Sequence, residues 1–211
     1  MKPMKSALIV DDHPVVRAAI RIVLQAEGFK QIFEASQGNE VLALVREHQP
    51  HLVILDINLP ALGGLEVLAR IKANDLECRV LVFSTHDPLF YQERCLRAGA
   101  MGYVTKTNQL EHLHKAVQAL MSGYTYFAAL PDNASVLSGV QATEQQLINQ
   151  LSNRELEILG KLAQGKTNKS IAEDMHLSHK TVSTYKTRVM TKICVKSTMH
   201  LCDFAKRNNV I

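Results

Sequence analysis

Through the first 127 residues, short apolar runs alternate with longer stretches whose apolar positions recur at helical spacing. The runs Ala7–Val10, Ile32–Ala35, Leu52–Leu55, Val80–Phe83 and Gly102–Val104 are mostly β-branched or aliphatic. They are too short for helices and are bounded by turn residues, so they predict buried strands. Between and after them, Pro14–Ala26, Asn39–His48, Leu65–Ala73, Leu89–Ala98 and Leu110–Ser122 carry the 3.6-residue period of amphipathic helices. In the first of these, Val15, Ala18, Ala19, Ile22 and Val23 make one apolar stripe. Five strand–helix units in succession predict an α/β fold, a parallel sheet with helices on both faces.

The pattern then changes. Ala128–Val140 holds Pro131, Asp132, Asn133, Ser135, Ser138 and Gly139 without a clear period, which predicts a linker. Thr143, with Gln146 three residues on, has capping-box spacing for a short helix reaching Leu151. Beyond Leu151 the period is helical throughout. Ser152 with Glu155 forms a second capping box, and Leu156, Leu159 and Leu162 share a face up to a stop at Gly165. Thr167 caps a short helix through Ile171, Ala172 and Met175. A turn at Leu177-Ser178 leads into a longer helix, His179–Ile193, and a last amphipathic helix follows Ser197. Two helices joined by a short turn, the second one basic, form a helix-turn-helix. The domains expected are 1–127, a linker over 128–147, and 148–211.

Charge divides the chain at the same place. Residues 1–127 hold 13 Lys and Arg against 13 Asp and Glu. Residues 151–211 hold 11 basic against 5 acidic side chains, a net of +6, and no acid lies between Ser178 and Cys202. Such an imbalance points to a polyanion partner for the C-terminal part. With 46% hydrophobic and 21% charged residues, the composition is that of a globular chain rather than a disordered or fibrous one. No apolar run approaches the roughly 20 residues of a membrane span. Only Ala7–Val10 is apolar before Asp11, so no secretory signal is expected. The cysteines Cys78, Cys95, Cys194 and Cys202 lack C-x-x-C spacing, as expected of free thiols in a reducing cytoplasm. His112 and His114 are two apart and no His-x-x-x-His pair occurs, so no histidine metal site is expected.

Ligand sites of open parallel sheets form beyond the carboxyl ends of the strands. Three acids fall there: Asp11 and Asp12 after the first strand and Asp56 after the third. Carboxylates crowded together repel, and a divalent cation relieves the conflict; hard oxygen ligands with open positions suit Mg²⁺. A carboxylate in that setting can act as nucleophile toward a phosphoryl group. Ser84 ends the fourth strand and Lys106 follows the fifth, adding a hydroxyl and an ammonium suited to phosphate oxygens.

These residues carry a resemblance. Asp11-Asp12-His13-Pro14, Leu55-Asp56-Ile57-Asn58-Leu59-Pro60 and Ala98–Lys106 resemble a response-regulator receiver domain, and Thr181-Val182-Ser183-Thr184-Tyr185 resembles a LuxR-type helix-turn-helix. The combination is similar to the NarL/FixJ family. Lys180–Arg188, Gly123–Phe127 and Ala205–Asn209 look most like its BvgA/EvgA virulence-regulator branch. The resemblance implies a flavodoxin-like (βα)5 receiver followed by a four-helix DNA-binding domain. It implies Asp56 as phosphoacceptor, and Mg²⁺ held by the Asp12 and Asp56 side chains and the Asn58 main-chain carbonyl, with Asp11 holding a metal-bound water. It implies Ser84 as the switch hydroxyl and Tyr103 as an aromatic that rotates inward behind it. The implied partners are a sensor histidine kinase or phosphotransfer protein, double-stranded promoter DNA, a second copy of the chain and RNA polymerase, with no membrane. Gly63 stands where the family commonly has an acid, and Lys186 where most relatives carry an aliphatic residue.

On His179–Ile193, Val182, Tyr185, Val189 and Ile193 are spaced for a core face. Lys180, Ser183, Thr184, Thr187 and Arg188 fall opposite. Small hydroxyl side chains permit close approach to base edges and thymine methyls, while Lys and Arg bind phosphates. Thr181 and Lys192 complete the candidate contacts on this helix, and Thr167, Asn168 and Lys169 at the preceding helix start are candidate phosphate contacts. Leu201, Cys202, Phe204 and Ala205 serve equally as a dimer face or as closure of the small core. Two other readings stay open: a small Mg²⁺-dependent phosphohydrolase, disfavoured because Asn58 is a poor proton carrier, and a constitutive DNA-binding protein with a receiver used only for dimerisation.

Overall fold

The computed structural model describes residues 5–106, 110–128 and 139–210, with side chains described from residue 144 onward in the last segment. Two compact units divide the chain, Met1–Ala128 and Ala129–Ile211. In the first, strands β1 (Ser6–Val10), β2 (Gln31–Ala35), β3 (Leu52–Leu55), β4 (Arg79–Ser84) and β5 (Gly102–Thr105) form one parallel sheet in the order β2-β1-β3-β4-β5. Helices α1 (Pro14–Ala26), α2 (Val41–His48), α3 (Gly64–Ala73), α4 (Pro88–Ala98) and α5 (Glu111–Met121) connect and follow them. This is the flavodoxin-like order, and its direction reverses between β1 and β3.

The sheet is buried on both faces, so its strands are continuous apolar runs rather than alternating ones. Ala7, Ile9, Leu52, Ile54, Leu81 and Phe83 join Ile20, Val23 and Leu24 of α1 and Leu113, Val117 and Leu120 of α5 in one core cluster. The alternate strand positions Leu8, Val53, Leu55 and Val82 are equally buried on the other face. Each such side chain contributes about 1.5–3 kcal/mol by leaving water.

The α1 stripe is corrected by this packing. Val15 is 80% exposed and Ile22 66%, while Val16, Ile20, Val23 and Leu24 face the core. The helix is apolar on two sides, and the pattern alone gave no means of choosing the one that meets the sheet. Gly38–Glu40 forms a 3-10 turn, which delays the start of α2 past the expected Asn39.

The second unit holds α6 (Gly139–Asn149), α7 (Asn153–Ala163), α8 (Asn168–Asp174), α9 (His179–Lys192) and α10 (Thr198–Arg207). Thr143 lies inside α6 rather than capping it, and residues 129–138 of the expected linker lie outside the described residues. Ser152, Thr167, Ser178 and Ser197 each cap the helix that follows by accepting a backbone N–H. Leu156, Leu159, Leu162, Ile171, Val182, Val189, Leu201 and Phe204 close the core. Leu201, Phe204 and Ala205 are at most 2% exposed and close the core, while Cys202 is partly exposed and turns its Sγ to the Leu162 carbonyl.

Beyond β3 the chain turns so tightly that Gly64 N–H donates to the Ile57 carbonyl at 2.9 Å. A Cβ at Gly64 would lie 2.2 Å from the Asp56 carbonyl oxygen, so only glycine starts α3 here. Gly64→Ala is expected to destabilise the first unit by about 1–3 kcal/mol, the usual cost of overpacking against backbone. A lowered urea midpoint with unchanged slope is the readout; an unshifted midpoint would contradict the close approach.

Candidate functional site

Three ladder extensions place the chemical groups. Asp11 N–H donates to Ala35 O at 3.2 Å, Asp56 N–H to Val10 O at 2.9 Å, and Lys106 N–H to Ser84 O at 2.7 Å. Each residue after a strand therefore stays in register with its neighbour, and Asp11, Asp56 and Lys106 converge at the reversal point. Lys106 Nζ lies 2.7 Å from Asp56 Oδ2 and 2.6 Å from Asp11 Oδ2. Asp11 and Asp56 are 1% and 3% exposed. Burial works against the ammonium, but Asp56 and Asp11 outweigh it and hold the Lys106 charge above the ordinary lysine range.

One oxygen of this set has no partner. Asp56 Oδ1 is buried without a hydrogen bond, and Asp11 Oδ2, although close to Lys106, lacks hydrogen-bond alignment. Asp11 Oδ1 accepts from His13 N–H at 2.9 Å. Asp12 is more exposed and lies 2.6 Å from His13 Nδ1; one ligand atom each from Asp11, Asp12 and His13 lies within 4.8 Å of the others. His13 was not among the residues expected here, and its adjacency to the acid pair was the available signal. Asn58 is exposed in the loop after β3. Gly63 caps α3 without a side-chain bond. Three carboxylates, Asp11, Asp12 and Asp56, gathered around the single ammonium of Lys106 form an oxygen donor set with an excess of negative charge, which fits a hard divalent cation.

Ser84 is fully buried and its Oγ accepts from His86 N–H at 3.4 Å. The Tyr103 ring is buried, with its hydroxyl donating to His86 O at 2.8 Å. Burial, then the neighbouring Cys95 and Tyr91, keep that phenol neutral against the opposing effect of Ser84. His86 stacks on Tyr91 of α4 with ring centroids 4.3 Å apart. Ser84 and Tyr103 thus share His86, which leads directly into α4. The other histidines singled out bind locally: His114 faces Glu27 at 3.1 Å and His112 the Tyr126 hydroxyl at 3.3 Å.

In the second unit, Val182, Val189 and Ile193 of the basic stretch are buried and Tyr185 is half-buried, as the spacing predicted. Lys180, Ser183, Thr184, Thr187 and Arg188 are exposed, as are Thr167 and Lys169; Asn168 is partly so. Two candidates are engaged otherwise. Thr181 Oγ1 meets the capping Ser178 Oγ at 2.8 Å. Lys192 Nζ donates to Glu155 Oε2 at 2.6 Å and to Gln150 O at 3.2 Å, tying the end of α9 to the capping box of α7. Burial alone would raise the Glu155 carboxyl, but Lys192 and Ser152 together hold it below the usual range. Arg154, Lys161, Lys166 and Arg207 likewise pair with Glu157, Asp174 and Glu144. Lys169, Lys180, Lys186, Arg188, Lys196 and Lys206 have no carboxylate partner among the described residues.

A parallel sheet with a buried acid–lysine triad at its reversal point, followed by a helix-turn-helix unit with a basic second helix, defines a phosphoryl-accepting regulator of DNA. Residues 7–118 match the response regulator receiver domain, and residues 149–205 match the LuxR family of bacterial regulatory proteins. The chain belongs to the NarL/FixJ family of two-component response regulators, DNA-binding transcription regulators rather than enzymes. It is 46% identical over 203 residues to the virulence factors putative positive transcription regulator BvgA of Bordetella pertussis, covering 96% of this chain and 97% of that one. It is 35% identical to the DNA-binding transcriptional activator EvgA of Escherichia coli, covering 97% and 99%. The fold is also that of RcsB from Salmonella enterica serovar Typhimurium, solved bound to a promoter in the presence of phosphomimetic BeF3−; the TM-score is 0.70 at 24% identity, covering 96% and 98%. Among the described residues, no helix is long and apolar enough to cross a membrane.

Two outcomes follow from the ion pairs. Lys106→Met leaves two buried carboxylates facing each other, and is expected to cost the first unit about 3 kcal/mol in metal-free buffer. Millimolar Mg²⁺ should restore part of that loss, read from thermal melts with and without EDTA. Lys192→Met is expected to cost the second unit on the order of 1–3 kcal/mol at pH 7. Because the Glu155 value is depressed, this stabilisation is present at neutral pH and is lost as pH falls below about 4.5, where the two proteins should converge. It should also leave the salt slope of DNA binding unchanged, whereas loss of a phosphate contact would lower the slope by about 1.

Proposed function

We propose that Asp56 accepts a phosphoryl group from a sensor histidine kinase or phosphotransfer protein, and that this event raises binding of the second unit to promoter DNA. The observation that carries the reading is the asymmetry of the Asp56 carboxylate: Oδ2 rests on Lys106, while Oδ1 is buried and unpartnered. An oxygen already stripped of solvent and hydrogen bonds is a nucleophile with little to give up. Oδ1 forms the new bond to phosphorus as the bond to the donor's nitrogen or oxygen breaks, and the donor leaves with that electron pair. Lys106 remains charged throughout and turns to an oxygen of the transferred group.

Asp12, Asp56 and the Asn58 carbonyl would hold Mg²⁺, with Asp11 orienting a water on it. Bound there, the ion would neutralise the carboxylate cluster and the charge of the incoming phosphate. The Ser84 hydroxyl moves onto a phosphoryl oxygen and gives up its contacts with His86 and Tyr103. His86, which donates to Ser84 and accepts from Tyr103, lies two residues before α4, so the pull re-poses the loop before that helix.

In the second unit, Lys180 and Arg188 bind phosphates, with Thr167, Asn168 and Lys169 at the start of α8. Ser183, Thr184 and Thr187 face the base edges. A second copy of the chain supplies the other half-site, and RNA polymerase is a further partner at the promoter. The four cysteines are unbridged, in keeping with a cytoplasmic setting.

Asp56→Asn is expected to abolish acid-stable, base-labile labelling from acetyl phosphate and Mg²⁺, and with it any rise in DNA affinity. Retained Mg²⁺-dependent labelling in that variant would refute the assignment. Equal affinity of the wild-type chain with and without acetyl phosphate would instead sever the receiver from DNA binding.

A further inference from the structure

The exposed face of α9 carries a row that the sequence reading took only in part. Lys180, Thr184, Thr187 and Thr191 fall within about 60° of arc at 100° per residue, diametrically opposite the buried Val182, Val189 and Ile193. All four are exposed. The three threonine hydroxyls are not turned outward. Thr184 Oγ1 donates to Lys180 O at 3.0 Å, Thr187 Oγ1 to Ser183 O at 3.1 Å, and Thr191 Oγ1 to Thr187 O at 3.0 Å.

A hydroxyl has one proton to donate, and here each proton is committed to the carbonyl four residues back. Of the three groups on a threonine Cβ, the oxygen is then folded against the helix and the γ-methyl is the bulky group left facing out. The row offers three methyl groups at i, i+3 and i+7, with no donor among them. In the major groove only thymine presents a methyl of its own; guanine offers two acceptors that call for a donor. Of the donors on this helix, Lys180 stands at the end of the row, and Ser183 and Arg188 flank it on either side. No carboxylate lies on α9 to accept from cytosine.

Resting on the reading that α9 enters the major groove, we infer that this helix selects thymine-bearing steps through the γ-methyl groups of Thr184, Thr187 and Thr191, with sequence preference set by apolar contact rather than by hydroxyl hydrogen bonds. The chemical class of site is A·T-rich duplex at the centre of each half-site.

The test uses the full-length chain treated with acetyl phosphate and Mg²⁺. Binding sites are selected from random duplex at stated salt, and thymines of the selected site are replaced one at a time by deoxyuridine, which removes only the methyl. Thr→Val at the three positions keeps the methyl and drops the hydroxyl; Thr→Ser does the reverse. The Val variants are expected to bind within twofold of wild type. The Ser variant that loses a contacting methyl should lose about fourfold, the worth of one buried methyl group. The matching deoxyuridine should cost wild type the same, and cost that Ser variant nothing more.

A tenfold loss in the Val variants, or indifference of wild type to every deoxyuridine, would overturn the inference. Circular dichroism melts check that each variant is folded at the assay temperature. Lys180→Ala and Arg188→Ala separate the two levels. If both weaken binding to all sequences and lower the salt slope, α9 is in the groove whatever the threonines do. If neither has any effect, α9 is not the reading helix and the inference falls with that reading.

Discussion

One ammonium between two buried carboxylates is the constraint around which the receiver is organised. Asp11 and Asp56 are almost wholly out of water, and the Lys106 ammonium lies within 2.7 Å of an oxygen of each. The lysine in turn stays charged despite burial because both acids face it. Together with Asp12 the set still carries more negative than positive charge, so the resting site remains short of cation. That deficit is what a divalent ion relieves, and a new dianionic group would redistribute it.

The sheet makes this arrangement without any special loop. Strand order reverses between β1 and β3, which sets Val10 beside Leu55 and hence Asp11 beside Asp56. The pairing of Ser84 with Thr105 sets Lys106 beyond the end of β5 by the same logic. The site is a by-product of register: a one-residue slip in either pair would turn a carboxylate or the Lys106 ammonium to the opposite face. Gly64, pressed on the Asp56 carbonyl, shows how little room the backbone leaves around Asp56.

The helical unit solves a different electrostatic problem. It must hold a cationic surface for a polyanion, yet remain folded when no polyanion is present. It does so by dividing its bases. Five of them pair with four carboxylates inside the unit, and one such pair, Lys192 with Glu155, fastens the end of α9 to the start of α7. The bases left unpaired are the ones on offer to phosphate, and the threonine row between Lys180 and the end of α9 presents methyl groups rather than further charge.

The parallel sheet, its strand boundaries within a residue or two, the caps at Ser152, Thr167 and Ser178, and the acids at the strand ends were all legible in the sequence. Each rests on local periodicity or on a residue type whose preference is intrinsic to its position. Other matters were decided only by tertiary packing. Helix α1 has two apolar sides, and contact with the sheet chose Ile20 and Leu24 over Val15 and Ile22. Lys192 read as one base among many until folding brought Glu155, 37 residues away, to its ammonium. The last helix gave its apolar side to the core because Leu201 and Phe204 complete it. In each case the chain offered a side chain with two plausible partners, and the choice between them depended on groups distant in sequence that meet only when the fold closes.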